Sequence, residues 1–75
     1  MKVLVLDEGG TYAVIQVVSA EYDPDHNGIG FFDVDGEYLY ISNVEAAKCN
    51  HICLELVRNG YCDLTSFGEY RYELI

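Results

Sequence analysis

The stretch FFDVDGEYLYI, residues 31–41, decides how the chain folds. Phe31 to Val34 and Glu37 to Ile41 are two runs rich in aromatic and branched residues, with Asp35-Gly36 between them. Such a dipeptide between apolar runs predicts a β-hairpin. A two-residue type I′ turn needs positive φ at both central positions, which Gly adopts freely and Asp tolerates. Along the return run, Leu39 and Ile41 share one face and Tyr38 and Tyr40 the other.

On the C-terminal side, Ser42-Asn43-Val44-Glu45 has the spacing of a capping box. A helix is predicted from about Asn43 to Asn59, stopping at Gly60, a residue suited to the left-handed cap. At about 100° per residue, Ala46, Cys49, Ile52, Cys53, Leu56 and Val57 form its apolar stripe. Lys48, His51, Glu55 and Arg58 fall opposite. CDLTSFG, residues 62–68, reads as irregular or a short strand. EYRYEL, residues 69–74, alternates cleanly, with Tyr70, Tyr72 and Leu74 on one face, and predicts a half-buried strand.

On the N-terminal side, KVLVL (Lys2–Leu6) is a strand and Asp7–Gly10 a turn. YAVIQVVS (Tyr12–Ser19) is apolar at most positions, which predicts a central strand covered on both faces. The order ββββαβ gives an α+β fold: an antiparallel sheet of four to five strands with one amphipathic helix packed on one face. Residues 1–75 form a single domain with no evident linker or internal repeat.

With 51% hydrophobic residues the chain is globular. It has no apolar run of about 18 residues, so no membrane span is expected. MKVLVL lacks the length and cleavage site of a signal peptide, and the expected location is the cytoplasm. Cys49, Cys53 and Cys62 cannot all pair within one chain, which fits reduced thiols.

Charge is the strongest global feature. Thirteen acids face four bases, for a net charge of -9. No Lys or Arg lies between Lys2 and Lys48, a span that holds Asp7, Glu8, Glu21, Asp23, Asp25, Asp33, Asp35, Glu37 and Glu45. Such a surface repels nucleic-acid phosphates and membrane headgroups and attracts basic protein surfaces. Acidity of this kind also serves solubility alone.

Several motifs bear on chemistry. Asp23, Asp25, Asn27 and Gly28 match the front half of an EF-hand loop, whose alternate oxygens converge on Ca²⁺ while glycine bends the chain. Position 12 of that loop is Val34, however, and strands flank it, so Asp23, Asp25 and Asn27 are only a weak metal candidate. Cys49, His51, Cys53 and Cys62 lack the convergence zinc needs, because His51 points away from the cysteine stripe. No GxSxG, P-loop or dinucleotide fingerprint occurs. His26 lies in an acidic loop that favours its charged form, which makes it a poor neutral base, and the chain offers little positive charge to activate a cysteine. The expectation is a protein that is not an enzyme and needs no cofactor. Seven tyrosines offer large rigid area with a polar tip, as binding surfaces do.

A small, cysteine-containing, strongly acidic α+β chain with acid-rich turns and exposed tyrosines resembles phage-encoded inhibitors that imitate DNA, anti-CRISPR proteins among them. The resemblance covers composition and element order along the whole chain, with no shared sequence motif. It implies a non-enzymatic inhibitor that presents carboxylates in place of phosphates to the basic surface of a nucleic-acid-handling protein, itself binding neither nucleic acid nor membrane. Asp23, Asp25, Asp33, Asp35 and Glu37 would carry that role, with Asp7 and Glu8 beside them. Asp33 and Asp35, two apart on a strand, would stand roughly 6.6–7 Å from each other, near the spacing of successive phosphates. The alternative is an interaction module that binds through the face bearing Tyr38 and Tyr40, or pairs with itself through an open sheet edge.

Overall fold

The computed structural model describes residues 1–75 and has the order β1 (Lys2–Asp7), β2 (Gly10–Gln16), β3 (Ser19–Asp23), β4 (Gly28–Asp33), β5 (Gly36–Ser42), α1 (Ala46–Asn59), β6 (Tyr61–Asp63) and β7 (Arg71–Leu74), with a 3₁₀ turn at Thr65–Phe67. The α+β class and the antiparallel pairing are as predicted. The strands number seven and divide into two sheets, ordered β2-β1-β7-β6 and β3-β4-β5. The helix packs against β3 and β6 and reaches β4 and β7, so it bridges the sheets on one side.

The division begins in YAVIQVVS. One continuous strand was expected there; instead β2 ends at Gln16 and the chain bends through Val17 and Val18 into the second sheet. The bend is pinned from both sides, by Val17 N–H donating to Met1 C=O and Val18 N–H to Phe32 C=O. Strands that switch sheets in this way make the corners of a two-sheet core. As a result β2 is an edge strand rather than a central one, and Val14 and Val18 are exposed.

The hairpins around Glu8-Gly9 and Val34-Asp35 share one construction. Asp7 pairs with Gly10 and Asp33 with Gly36, so the central residues are Glu8-Gly9 and Val34-Asp35. Asp35 does not have positive φ, which excludes the expected type I′ turn. The left-handed strain falls instead on Gly10 (φ +117°) and Gly36 (φ +119°), and a register shift follows in each strand pair. This is a turn closed by a glycine bulge. The pattern Asp-x-x-Gly-x-Tyr, at residues 7–12 and 33–38, is thus a small repeat that composition alone hides.

The helix begins at Ala46, not near Asn43, and its N-cap is Glu45 without a side-chain cap bond. Ser42 ends β5 and Asn43 has φ +62°, so the capping box does not form. The C-terminus is as predicted: Gly60 is left-handed at φ +80° and its N–H donates to Leu56 C=O. Cys49, Ile52 and Leu56 face the core, joined by partly buried Cys53, whereas Ala46 is exposed and Val57 is 81% exposed. The core also takes Val3, Val5 and Tyr72 from the first sheet and Ile29, Phe31 and Ile41 from the second. No helix is long and apolar enough to cross a membrane.

Candidate functional site

In β4, Ile29 and Phe31 point into the core, so Gly28, Gly30 and Phe32 lie on the outer face of the second sheet. Across from Gly30 stand Glu21 on β3 and Tyr40 on β5, and across from Gly28 stand Asp23 and Ser42. A Cβ on Gly30 would come within 2.6 Å of Glu37 Oε2 and 2.7 Å of the Phe32 ring. The bare backbone at Gly30 therefore gives the Glu37 carboxylate its passage across the central strand.

What Glu37 reaches is Asp23 and His26. His26 Nδ1 lies 2.6 Å from Asp23 Oδ2 and 3.6 Å from Glu37 Oε1, and the donor atoms of all three residues lie within 4.8 Å of one another. Asp23 is only 5% exposed, and its second oxygen accepts from the Asp25 N–H at 3.0 Å. The His26 ring is stacked on Tyr40, centroids 3.6 Å apart and 13° from parallel, which fixes where Nδ1 points.

The charges are coupled. Hydrogen bonding to Glu37, and then to His26, holds Asp23 below the usual carboxylate range. The same contact with Asp23 raises Glu37, which keeps its proton longer beside a second carboxylate. Hydrogen bonding to Asp23 raises His26 above 6.5. A raised histidine pKa contributes stability below pH 6.5 that is lost as pH rises through the folded value; a lowered Asp23 contributes above pH 3.8 and is lost on acidification through its folded value. Raised Glu37 opposes this, since its contribution fades as pH climbs past 4.5. The melting temperature is expected to fall as pH rises above 6.5, and His26→Ala is expected to flatten that decline. An equal decline in His26→Ala would assign it elsewhere.

The acids singled out in the sequence separate accordingly. Asp23 is buried, so its carboxylate is not held out toward solvent as expected; Glu37 is exposed, with its carboxylate leaning back over Gly30. Asp25, Asp33 and Asp35 are exposed, as are Tyr38 and Tyr40. Asp33 ends β4 and Asp35 sits in the turn, so the two do not share a strand face as expected. Of the loop oxygens at Asp23, Asp25 and Asn27, Asn27 Oδ1 accepts from the Tyr22 hydroxyl, and Asp23 turns to His26. Two of the three thiols have backbone partners, and Cys62 is buried. Cys49 donates to Val44 C=O and Cys53 to Ala20 C=O, and burial pushes the Cys49 thiol up to about 11.

Opposite the helix, the edges of β2 and β5 leave a cleft of about 750 Å³. Tyr12, Tyr38, Tyr40 and Tyr70 line it, and Tyr12 packs on Tyr70 with centroids 4.8 Å apart. The turn bearing Asp33 and Asp35 leads into β5 at one end of this edge. At the other, Asp7 and Glu8 line a hollow with Ser42 and Asn43. No protein-family model, curated protein or solved structure matches this chain.

Proposed function

We propose that this chain is a non-catalytic binding protein that inhibits or regulates a basic, nucleic-acid-handling partner, of the kind that anti-CRISPR inhibitors of phage target. The observation that carries the reading is the distribution of ion pairs. Lys48 pairs with Glu69, and Arg71 with Asp63 and Glu73, all in the C-terminal part. From Asp7 to Glu45 the only cationic contact to an acid is His26, so Asp7, Glu8, Asp25, Asp33 and Asp35 have no Lys or Arg partner. Fields from unpaired carboxylates on rigid turns steer a basic surface toward them, and the steering weakens with salt. The tyrosine cleft between the acidic turns supplies the area for a specific contact.

The test is capture from source lysate at low salt, with elution by high salt or by duplex DNA. A nucleic-acid-binding protein released by both is the expected result. The double variant Asp33→Asn/Asp35→Asn is expected to slow association by on the order of tenfold or more while the fold stays intact, since Asn at position 33 can still accept the Val34 N–H bond now made by Asp33. A salt-resistant partner lost with Tyr38→Ala or Tyr40→Ala would overturn mimicry. It would favour the second reading, an interaction module working through the cleft between the β2 and β5 edges.

A further inference from the structure

We infer that Asp23, His26 and Glu37 form a binding site for a divalent first-row transition metal such as Zn²⁺. Three observations carry it. The first is convergence from separate places in the fold. Asp23 ends β3, His26 belongs to the following loop, and Glu37 arrives from β5 across the whole width of β4. Sequence-local hydrogen bonding explains an Asp–His contact three residues apart; it does not explain a glutamate brought over the central strand.

The second is the floor of the site. Glycine inside a strand weakens it and often marks a close approach by a ligand or another group. At Gly30 the space a side chain would fill holds the Glu37 carboxylate, 2.6 Å from the ideal Cβ position.

The third is donor chemistry. One imidazole nitrogen and two carboxylate oxygens suit Zn²⁺, Ni²⁺ or Co²⁺, with bonds of about 2.0–2.2 Å, so that neighbouring ligand atoms in a tetrahedral shell stand about 3.3 Å apart. Bonds at the longer end put neighbouring ligand atoms about 3.6 Å apart. The Nδ1 to Glu37 Oε1 separation, 3.6 Å, already matches this, the Nδ1 to Asp23 Oδ2 separation, 2.6 Å, must open, and all three ligand atoms lie within 4.8 Å of one another. Small side-chain rotations equalise them, and the proton on Nδ1 leaves to solvent when the metal takes its place. Supporting contacts are already in position: Asp25 N–H holds the far oxygen of Asp23, and Tyr40 holds the ring of His26. The His26 side chain is 39% exposed, which leaves the outer side of the shell open to water or a further ligand.

The experiment is calorimetric titration of the chelator-treated 75-residue protein with Zn²⁺, beside His26→Ala, Gly30→Ala and Cys53→Ser. One Zn²⁺ per chain is expected. His26→Ala should weaken it by about a hundredfold or more and Gly30→Ala by about tenfold or more, the latter without touching a ligand. Cys53→Ser should leave it unchanged, and Co²⁺ bound in place of Zn²⁺ should show no thiolate-to-metal absorption. Absence of binding at millimolar Zn²⁺, affinity indifferent to His26→Ala, or a thiolate band with Co²⁺ would each overturn the assignment.

Discussion

Gly28→Ala is expected to remove most of the protein's stability, while Gly30→Ala, two residues on and facing the same way, is expected to remove little. At Gly28 an added Cβ would stand 2.0 Å from Ile41 O and 2.8 Å from both Ile41 C and Ser42 Cα. These are backbone atoms of the partner strand, in the pair Gly28–Ser42 that closes the β4–β5 ladder. They move only if the strands part, which also strains the neighbouring bond from Val44 N–H to Asn27 C=O. Overpacking against yielding side chains costs about 1–3 kcal/mol, and an unyielding backbone should exceed that. For a small domain near the low end of about 5–15 kcal/mol of total stability, little would remain. At Gly30 the obstacles are the Glu37 carboxylate and the Phe32 ring, both ends of side chains that can swing away. The expected change there is within about 1 kcal/mol, with the Asp23–His26–Glu37 cluster dispersed. Thermal unfolding by circular dichroism decides between them. Similar melting temperatures for the two variants would refute the geometry of this sheet face.

Local chemistry made part of this fold legible. Gly60 ends the helix because a left-handed residue was needed there, and glycine signals that need directly. Cys49, Ile52 and Leu56 repeat at helical spacing and face the core. What sequence spacing could not convey is where a chain bends between sheets. Val17 and Val18 are as β-prone as their neighbours, yet the corner falls on them because Met1 and Phe32 lie where their N–H groups can be paired. The capping box at Ser42–Glu45 fails for a similar reason: β5 extends through Ser42 to pair with Gly28, and the helix starts only after Val44 is buried. The same limit hid the cluster of Asp23, His26 and Glu37. Asp23, Asp25 and Asn27 are neighbours along the chain, whereas Glu37 joins Asp23 only once β3, β4 and β5 are in register. The available hint was Gly30 in the middle of an otherwise apolar strand.

Tyr72→Ala is expected to cost about 3–5 kcal/mol, the range for removing a buried aromatic ring, and so to rival Gly28→Ala. Tyr72 is 1% exposed on β7, a central strand of the first sheet, with Val5 on one side and Cys62 on the other. Burial pushes its phenol far above the ordinary range, as expected for a hydroxyl deep in the interior. Urea unfolding should show a large fall in midpoint for Tyr72→Ala and a much smaller one for Tyr72→Phe, which keeps the ring. A cost below about 2 kcal/mol for the alanine variant would contradict a close-packed centre. The comparison also bears on binding. Tyr72 meets Tyr70 edge-on at 6.4 Å, and Tyr70 in turn supports Tyr12 at the wall of the cleft. Loss of a partner in Tyr72→Ala would therefore report a collapsed wall, whereas loss in Tyr38→Ala, whose ring is exposed at the β5 edge, reports a lost contact. Only a variant of the second kind, with an unchanged urea midpoint, locates the binding surface.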